Sequence, residues 1–426
     1  MSIKTSTSTR KPHILISGAS IAGPVLAYWL HRASIATTIV ERSPFLRSSG
    51  QGIDIRGPAR GVIARMGLDS AIRSRVTHEL GLQFVDKNGY PRASFPMEPN
   101  GNSFTSDIEI LRGDLSEVFY ESTKETCEYV WDDYITGLEE MDEGVLVTFA
   151  KGKQRIFDLV VGADGLRSKT RRLAIPLPND GMKSLNQYST YFTIPKQSQD
   201  DGWGKWYNAN RGRALLMRPD NIHHGTTTRI YLSITDPNKS SKLVNYLKMS
   251  PDEQKRAWRE EMSDMGWEIE RVLDGMDKAP DYYMQEIAQI NPPQFYKGKI
   301  ALVGDAGYCP SPLTGMGTSS AILGAYYLAG ELGACDRNWE EGLKKYEEIM
   351  RPFMEGVQKL PPGVPGIITP QTEWGITALY GVLGVLSWTR VASLFGGWFA
   401  GSEKVDDSLE SVTNRGLDCG SIIDAG

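Results

Sequence analysis

Six residues near the start of the chain, Gly18-Ala19-Ser20-Ile21-Ala22-Gly23, constrain the fold more than any other feature of the sequence. They follow a compact β-branched and aliphatic run, His13–Ser17, and precede an apolar helical stretch, Val25–Arg32, that holds Leu26, Trp29 and Leu30. A second β-branched run, Thr37–Val40, ends at Glu41. Strand, tight turn, helix, strand is half of a βαβ unit, which predicts α/β architecture around a parallel sheet. Gly18 suits the turn, Gly23 lets helix and strand pack closely, and a phosphate can approach the backbone between them. Ser20 stands where the dinucleotide fingerprint has its middle glycine; it narrows the approach and adds a hydroxyl donor. The helix N-terminus offers amide groups and positive potential to an anion. Glu41, 23 residues past Gly18, is placed to accept hydrogen bonds from a ribose. Gly18, Ser20, Ile21, Ala22 and Glu41 are therefore candidate dinucleotide-binding residues.

The same turn also resembles a nucleophile elbow with Ser20 as nucleophile and with Asp and His residues, including His223 and His224, following in order. Two features disfavour that reading. An elbow comes after several strands and an earlier oxyanion loop, and Ala22 stands where the elbow has glycine.

Composition narrows the remaining classes. The chain has 426 residues, 40% hydrophobic and 23% charged, enough for two or three folding units around a substantial core. Its net charge of −5 leaves no basic surplus for a nucleic-acid partner, and none is expected. Cys127, Cys309, Cys335 and Cys419 form no CxxC pair and imply no disulfide framework, which fits a reducing, cytoplasmic setting. The five histidines show no ligand spacing, so no metal site is expected. The start, Met1 to Lys11, is Ser/Thr-rich and reads as a frayed end. No run is long and apolar enough for a membrane helix; Gly375 to Gly401 comes nearest, interrupted by Arg390. It reads as a packing helix, with peripheral membrane contact as the secondary expectation.

Two further strands end in glycine and aspartate: Asp158-Leu159-Val160-Val161-Gly162-Ala163-Asp164-Gly165, continuing to Ser168 and Arg171, and Ile300-Ala301-Leu302-Val303-Gly304-Asp305-Ala306. The second leads through Pro310-Ser311-Pro312-Leu313-Thr314-Gly315-Met316-Gly317-Thr318 into an apolar helix, Met316 to Leu332. Between them, Tyr188–Ile194, Gly204–Tyr207, Arg213–Met217 and Arg229–Ile234 read as short strands separated by turn residues, hence an antiparallel sheet. Its Trp203, Lys205, Trp206 and Tyr207 offer flat apolar walls and one cation to a substrate.

Fingerprint, Asp164-Gly165 and Gly304-Asp305, in this order, resemble the class A FAD-dependent aromatic hydroxylases, whose fold is that of para-hydroxybenzoate hydroxylase. Within that group the runs Gly52-Ile53-Asp54-Ile55, Ile110-Leu111-Arg112-Gly113-Asp114-Leu115 and Asn208-Ala209-Asn210-Arg211 are most similar to the tetracycline-inactivating and fungal secondary-metabolite monooxygenases. The resemblance implies a Rossmann-like FAD-binding domain built from 1–78, 109–180 and 286–360. An inserted antiparallel substrate domain would come from 79–108 and 181–285, and a C-terminal helical segment from 361–426.

It also implies roles. Asp305 would hold the ribityl hydroxyls of FAD, Arg112 and Asp54 would contact the cofactor, and Glu41 with Arg42 would take the adenosine end. For Arg112 the plain alternative is an ion pair with Asp114. Asp164 would lie near the pyrophosphate, and Arg47 would serve NAD(P)H, a transient reductant. Gly315, Met316, Gly317 and Thr318 would present a helix N-terminus to the ring. Pro312 and Gly315 would border the substrate, with Lys205 and Trp203 contacting it from the sheet. Tyr308, Met316 and Ser319 depart from the family's usual His, Gln and Asn. The implied reaction is monooxygenation: NAD(P)H reduces FAD, O2 adds at flavin C4a, and the resulting hydroperoxide hydroxylates or epoxidises a phenolic, polycyclic or indole-type small molecule. No side chain is singled out as acid or base. Two alternatives stay open: a flavoenzyme of this fold that dehydrogenates or oxidatively cyclises, and a flavin-free binding or hydrolytic protein.

Overall fold

The computed structural model describes residues 10–47, 50–98, 104–239 and 241–389. The first nine residues of the Ser/Thr-rich start, Cys419 and the part of the Gly375 to Gly401 stretch from Arg390 onward lie outside them.

Two large sheets organise the chain. The first has six strands in the order Tyr296–Lys297, Ile300–Leu302, Leu159–Gly162, His13–Ser17, Ala36–Glu41, Glu128–Trp131. All neighbours are parallel except the short Tyr296–Lys297 edge. Its central strands are nearly continuous in aliphatic residues because both faces are covered. Ile14 and Ile16 turn to one side, against Leu26 and Leu30 of the helix Ala22–Arg32 and Ile322 and Leu328 of the helix Gly317–Ala334. Leu15 turns to the other, against Val145, Val147 and Phe157 of a three-stranded antiparallel sheet.

The second sheet has seven strands in the order Tyr283–Ile290, Met182–Pro195, Thr227–Thr235, Arg213–Pro219, Gly204–Ala209, Gly81–Val85, Pro91–Pro96. It is antiparallel save for one parallel pairing, Gly204–Ala209 with Gly81–Val85. Strand Tyr283–Ile290 pairs with Met182–Pro195 as far as Ile290, so the sheet outruns the boundary expected at 285. Side chains alternate with period two. Leu215, Met217, Ile230, Leu232 and Ile234 pack under the helices Pro251–Met262 and Ile269–Lys278, with Trp258, Val272 and Met276. Leu216, Arg218 and Tyr231 face the opposite way, toward the first half of the fold: the Tyr231 hydroxyl accepts from Gly52 N at 3.1 Å, and Arg218 reaches Glu109 at 2.8 Å.

The helix Glu373–Thr389 lies along the last strand of this sheet. Ser387 Oγ exchanges hydrogen bonds with the backbone of Ser94, at 3.1 and 2.8 Å. The Tyr380 hydroxyl accepts from Asn208 N and donates to Val85 O, both at 3.0 Å. Tyr380, Leu383 and Leu386 thereby pack on Phe84, Phe95, Trp206 and Leu216.

Candidate active site

Three strand ends meet in backbone contact. Gly18 adopts φ +113°, and a Cβ there would stand 2.5 Å from Ala163 O. Ala163 N in turn donates to Ser17 O at 2.8 Å. The fingerprint turn and the Ala163-Asp164 turn are thus pressed together at a position open only to glycine. A Cβ on Gly23 would lie 2.0 Å from Gly18 O, which is the close helix-to-turn packing expected of the third fingerprint glycine. Gly304 completes the set: a Cβ added there would meet Ala22 at 3.2 Å and Ala321 at 3.4 Å.

The helices that start here suit an anionic, elongated cofactor. Neither Ala22–Arg32 nor Gly317–Ala334 has an acidic residue in its first turn or a side chain capping its N-terminus. Their first amides and dipoles are left to a ligand. Ile21 and Ala22 are buried, so they offer backbone rather than side chain. Ser20 Oγ accepts from Arg112 Nε at 3.2 Å and from Nη2 at 3.0 Å. Arg112, at the start of the helix Arg112–Glu121, is therefore turned to the fingerprint and not to Asp114. Asp305 is half-buried beside the start of the helix Gly317–Ala334; a Cβ on Gly317 would sit 3.8 Å from its Oδ1. Desolvation raises its carboxyl above the usual range, against the pull of Arg112 and the Cys309 thiol. A carboxylate in that situation gains from hydroxyl donors, the chemistry of a ribityl chain. The residues present fit FAD.

Other expected residues are placed with different partners. Glu41 accepts from Ala19 N at 3.0 Å through one oxygen and from Ser43 N at 2.9 Å through the other, so it braces the fingerprint turn. Arg42 and Arg47 are exposed. Asp54 pairs with Arg56 at 3.1 Å and accepts from Ser106 N at 3.2 Å. Arg56 N donates to Ser319 Oγ at 2.9 Å, which gives the unusual serine a duty: it ties the Asp54 strand to the helix Gly317–Ala334. In the intervening loop Gly315 (φ +64°) and Pro312 are exposed, Gly317 and Thr318 are half-buried, and Met316 is in the core. Tyr308, the other departure, is buried, with its hydroxyl 3.1 Å from that of Tyr346, and it fits because position 324 is glycine; a Cβ there would lie 1.7 Å from that hydroxyl.

Asp164, expected near the pyrophosphate, spends its hydrogen bonds on the turn that follows it. It accepts from Ser168 Oγ at 2.5 Å, Lys169 N at 2.9 Å, and Thr170 N and Oγ1 at 3.0 Å each. All four bonds serve the start of the helix Lys169–Ala174, so Asp164 shapes the turn that Gly18 touches. Arg171, noted in sequence only as following the motif, is fully buried. It donates to Ala306 O at 2.6 Å, Leu166 O at 2.7 Å and Asp180 O at 3.0 Å, joining the second motif to the third.

Lys205 and Trp203 are not brought to this cleft. Lys205 alternates with Trp206, so it shares the helix-covered face with Tyr207, across the sheet from Tyr231. Its Nζ is bound to Asp201 Oδ2 at 3.0 Å and Gln199 O at 3.2 Å, at a cavity of about 210 Å³ shared with Trp203 and Trp267. On the cleft side stand residues the sequence reading did not single out. Tyr191 stacks on Tyr283 at 4.9 Å and meets Tyr231 edge-on at 5.3 Å, while Arg229 donates to Gly50 O. Burial pushes the Tyr231 hydroxyl up to about 12. Strand alternation around Arg229–Ile234 was the signal that could have found them.

Behind Gly52, the half-buried Arg218 binds two buried carboxylates, Glu79 through two bonds (2.7 and 2.8 Å) and Glu109 at 2.8 Å. A Cβ on Gly52 would lie 2.4 Å from Glu109 Oε1. Burial pushes the Glu109 carboxyl well above its usual range; Arg218 opposes this, and Glu79 and Asp54 add to it. A protonated Glu109 leaves the cluster neutral. The fold then holds a proton that the unfolded chain releases near pH ~4.3, so stability is full below that pH and is lost as pH rises toward the folded value. Urea midpoints measured from acidic to alkaline pH should show this decline in wild type and a flatter profile in Glu109→Gln. Parallel profiles would exclude the group.

Comparison with known proteins agrees with this geometry. A family model described as an FAD binding domain matches residues 11–360. Uncharacterized protein Rv1260 of Mycobacterium tuberculosis is 39% identical over 368 residues, covering 85% of this chain and 96% of its own. The FAD-dependent monooxygenase asL4 of Sarocladium schorii is 34% identical over 414 residues, covering 90% of this chain and 94% of its own. The crystal structure of tetracycline destructase Tet(55) matches with a TM-score of 0.73 at 30% identity, over 89% of this chain and 98% of that one. With three glycine-ended strands meeting where a dinucleotide fits, and likeness across nearly the whole length of these relatives, the chain belongs to the FAD-dependent class A monooxygenases, oxidoreductases of the para-hydroxybenzoate hydroxylase fold.

Proposed function

We propose that the protein inserts one oxygen atom of O2 into a phenolic, polycyclic or indole-type small molecule at the expense of NAD(P)H. The balance is substrate–H + O2 + NAD(P)H + H⁺ giving substrate–OH, NAD(P)⁺ and water. Bound FAD supplies the two-electron chemistry and the activation of O2. The chain's own residues bind, orient and keep the site dry. Ser20 and Arg112 hold the pyrophosphate side, Asp305 the ribityl hydroxyls, and Glu41, which braces the turn, with Arg42 the adenosine end. Backbone from Gly315 to Thr318 meets the ring, and Arg47 serves the visiting nicotinamide. Pro312 and Gly315 border the substrate.

The carrying observation is the tyrosine wall: Tyr191, Tyr231 and Tyr283 stand together beside Gly50 to Gly52, on the sheet face turned toward the cofactor half. Flat rings suit a flat substrate. The proposed substrate face is therefore the side of the sheet opposite Lys205 and Trp203. The test is a substrate screen that follows NADPH loss and product mass under ¹⁸O2. One labelled oxygen per product supports the proposal. Oxidised product without label supports dehydrogenation or oxidative cyclisation instead.

A further inference from the structure

A cavity of about 210 Å³ opens on the helix-covered face of the seven-stranded sheet, across that sheet from the tyrosine wall. Two half-buried tryptophans line it: Trp203, just before the strand Gly204–Ala209, and Trp267, in the link between the helices Pro251–Met262 and Ile269–Lys278. Lys205 and Met217 join them from the sheet, and exposed Asn88 and Gln199 mark the mouth. Trp267 is held there against its backbone preference, at φ +52°, where a bulky side chain is rare. Its ring meets Tyr207 edge-on at 5.7 Å, and the Tyr207 hydroxyl fixes the link by donating to Met265 O at 2.5 Å. Gly89 leaves the indole room, since a Cβ there would lie 2.9 Å from Trp267 Nε1. The opposite wall is also tied in place. Asp200 accepts from Gln197 N at 2.9 Å, Thr228 Oγ1 at 2.7 Å and Arg271 Nη2 at 2.6 Å, and Arg271 also reaches Glu268 at 3.3 Å.

We infer that this cavity is a binding site for a small aromatic carboxylate, distinct from the substrate cleft. Two indoles and a methionine give a ring flat apolar contact, and walls fixed before binding lower the cost of ordering them. A bulky residue kept in a sparsely populated conformation beside a cavity is the mark of a ligand clamp. Size sets the ring count. A cavity of about 150 Å³ takes up benzene, so this one admits a single ring or a fused pair with a short substituent, and no larger polycycle. Charge sets the head group. The acidic residues of the lining, Asp200 and Glu268, are both engaged by Arg271. Lys205 is held less firmly: its partners are Gln199 O at 3.2 Å and Asp201 at 3.0 Å, and the Asp201 side chain is 51% exposed. A carboxylate entering from the mouth replaces Asp201 on the lysine while Asp201 returns to water, one ion pair exchanged for another. The site needs neither the flavin nor the proposed reaction, so its readout is binding alone.

The test is calorimetric titration of the full-length, flavin-loaded protein with 2-naphthoate, with the flavin absorbance band recorded in parallel to report any occupation of the cofactor-side cleft. Saturable binding that leaves the band unshifted is expected. Lys205→Met should weaken it about tenfold, Lys205→Arg should retain most of it, and Asp201→Asn, which frees the lysine, should tighten it about threefold. Tyr283→Phe, on the cleft side, should bind as wild type. Retained flavin and an unchanged urea midpoint report that each variant is folded. Four results would overturn the inference: no saturable binding by wild type, binding that shifts the flavin band and survives Lys205→Met, equal affinity for the neutral 2-naphthamide, or weaker binding by Asp201→Asn.

Discussion

Asp305→Ala is expected to purify colourless. The carboxylate stands at the end of a buried strand beside an uncapped helix start, under the field of Arg112 and held above its usual range by desolvation. Two hydroxyl donors on such an acceptor contribute about 1.5–3 kcal/mol each, so the loss amounts to roughly a hundredfold to ten-thousandfold in FAD affinity. The ratio of flavin to protein absorbance and a fluorescence titration of apoprotein with FAD measure it. Asp305→Asn, which keeps an acceptor and loses the charge, should fall between. The flavin-free variant should be no less stable to urea than wild-type apoprotein at neutral pH, since it removes a desolvated carboxylate. Stoichiometric flavin in Asp305→Ala would refute the assignment.

The second large effect is on the frame. In Arg171→Met three carbonyls, of Leu166, Asp180 and Ala306, lose their donor in a site where the wild-type side chain is fully buried. Each unsatisfied carbonyl costs about 1–3 kcal/mol, and relaxation toward water recovers part, which puts the expected loss at about 3–5 kcal/mol. Because the arginine joins the turn shaped by Asp164 to the start of the Asp305 segment, flavin retention should fall along with the urea midpoint. Arg171→Lys, which replaces a fork with a point donor, should recover only part of both. A loss below about 1 kcal/mol would mean that the three bonds hold nothing together.

The parts of this site legible in sequence are those where local chemistry and backbone demand coincide. Gly18 and Gly23 are required by contacts of 2.5 and 2.0 Å within one strand–turn–helix unit, and short-range patterning is enough to reveal such a unit. The strand ends at Asp164 and Asp305 were legible for the same reason. Less legible were pairings across long separations. The strand Gly81–Val85 joins Gly204–Ala209 in parallel across more than a hundred residues, and the Glu79–Glu109–Arg218 cluster draws on three distant segments. Lys205 shows a different limit. Its strand was expected, but period two decides only that neighbours face opposite ways, not which way is the cofactor.

The sequence by itself determined the element types, the glycine-dependent turns and the family, because each depends on residues close along the chain or on a spacing that sterics impose. The tertiary structure decided which face of the seven-stranded sheet meets the cofactor half, that Asp164 caps a helix while Arg112 grips Ser20, and that one face of the last described helix stays bare. Those outcomes follow from burial and from which polar groups find partners, quantities that exist only once distant segments have packed.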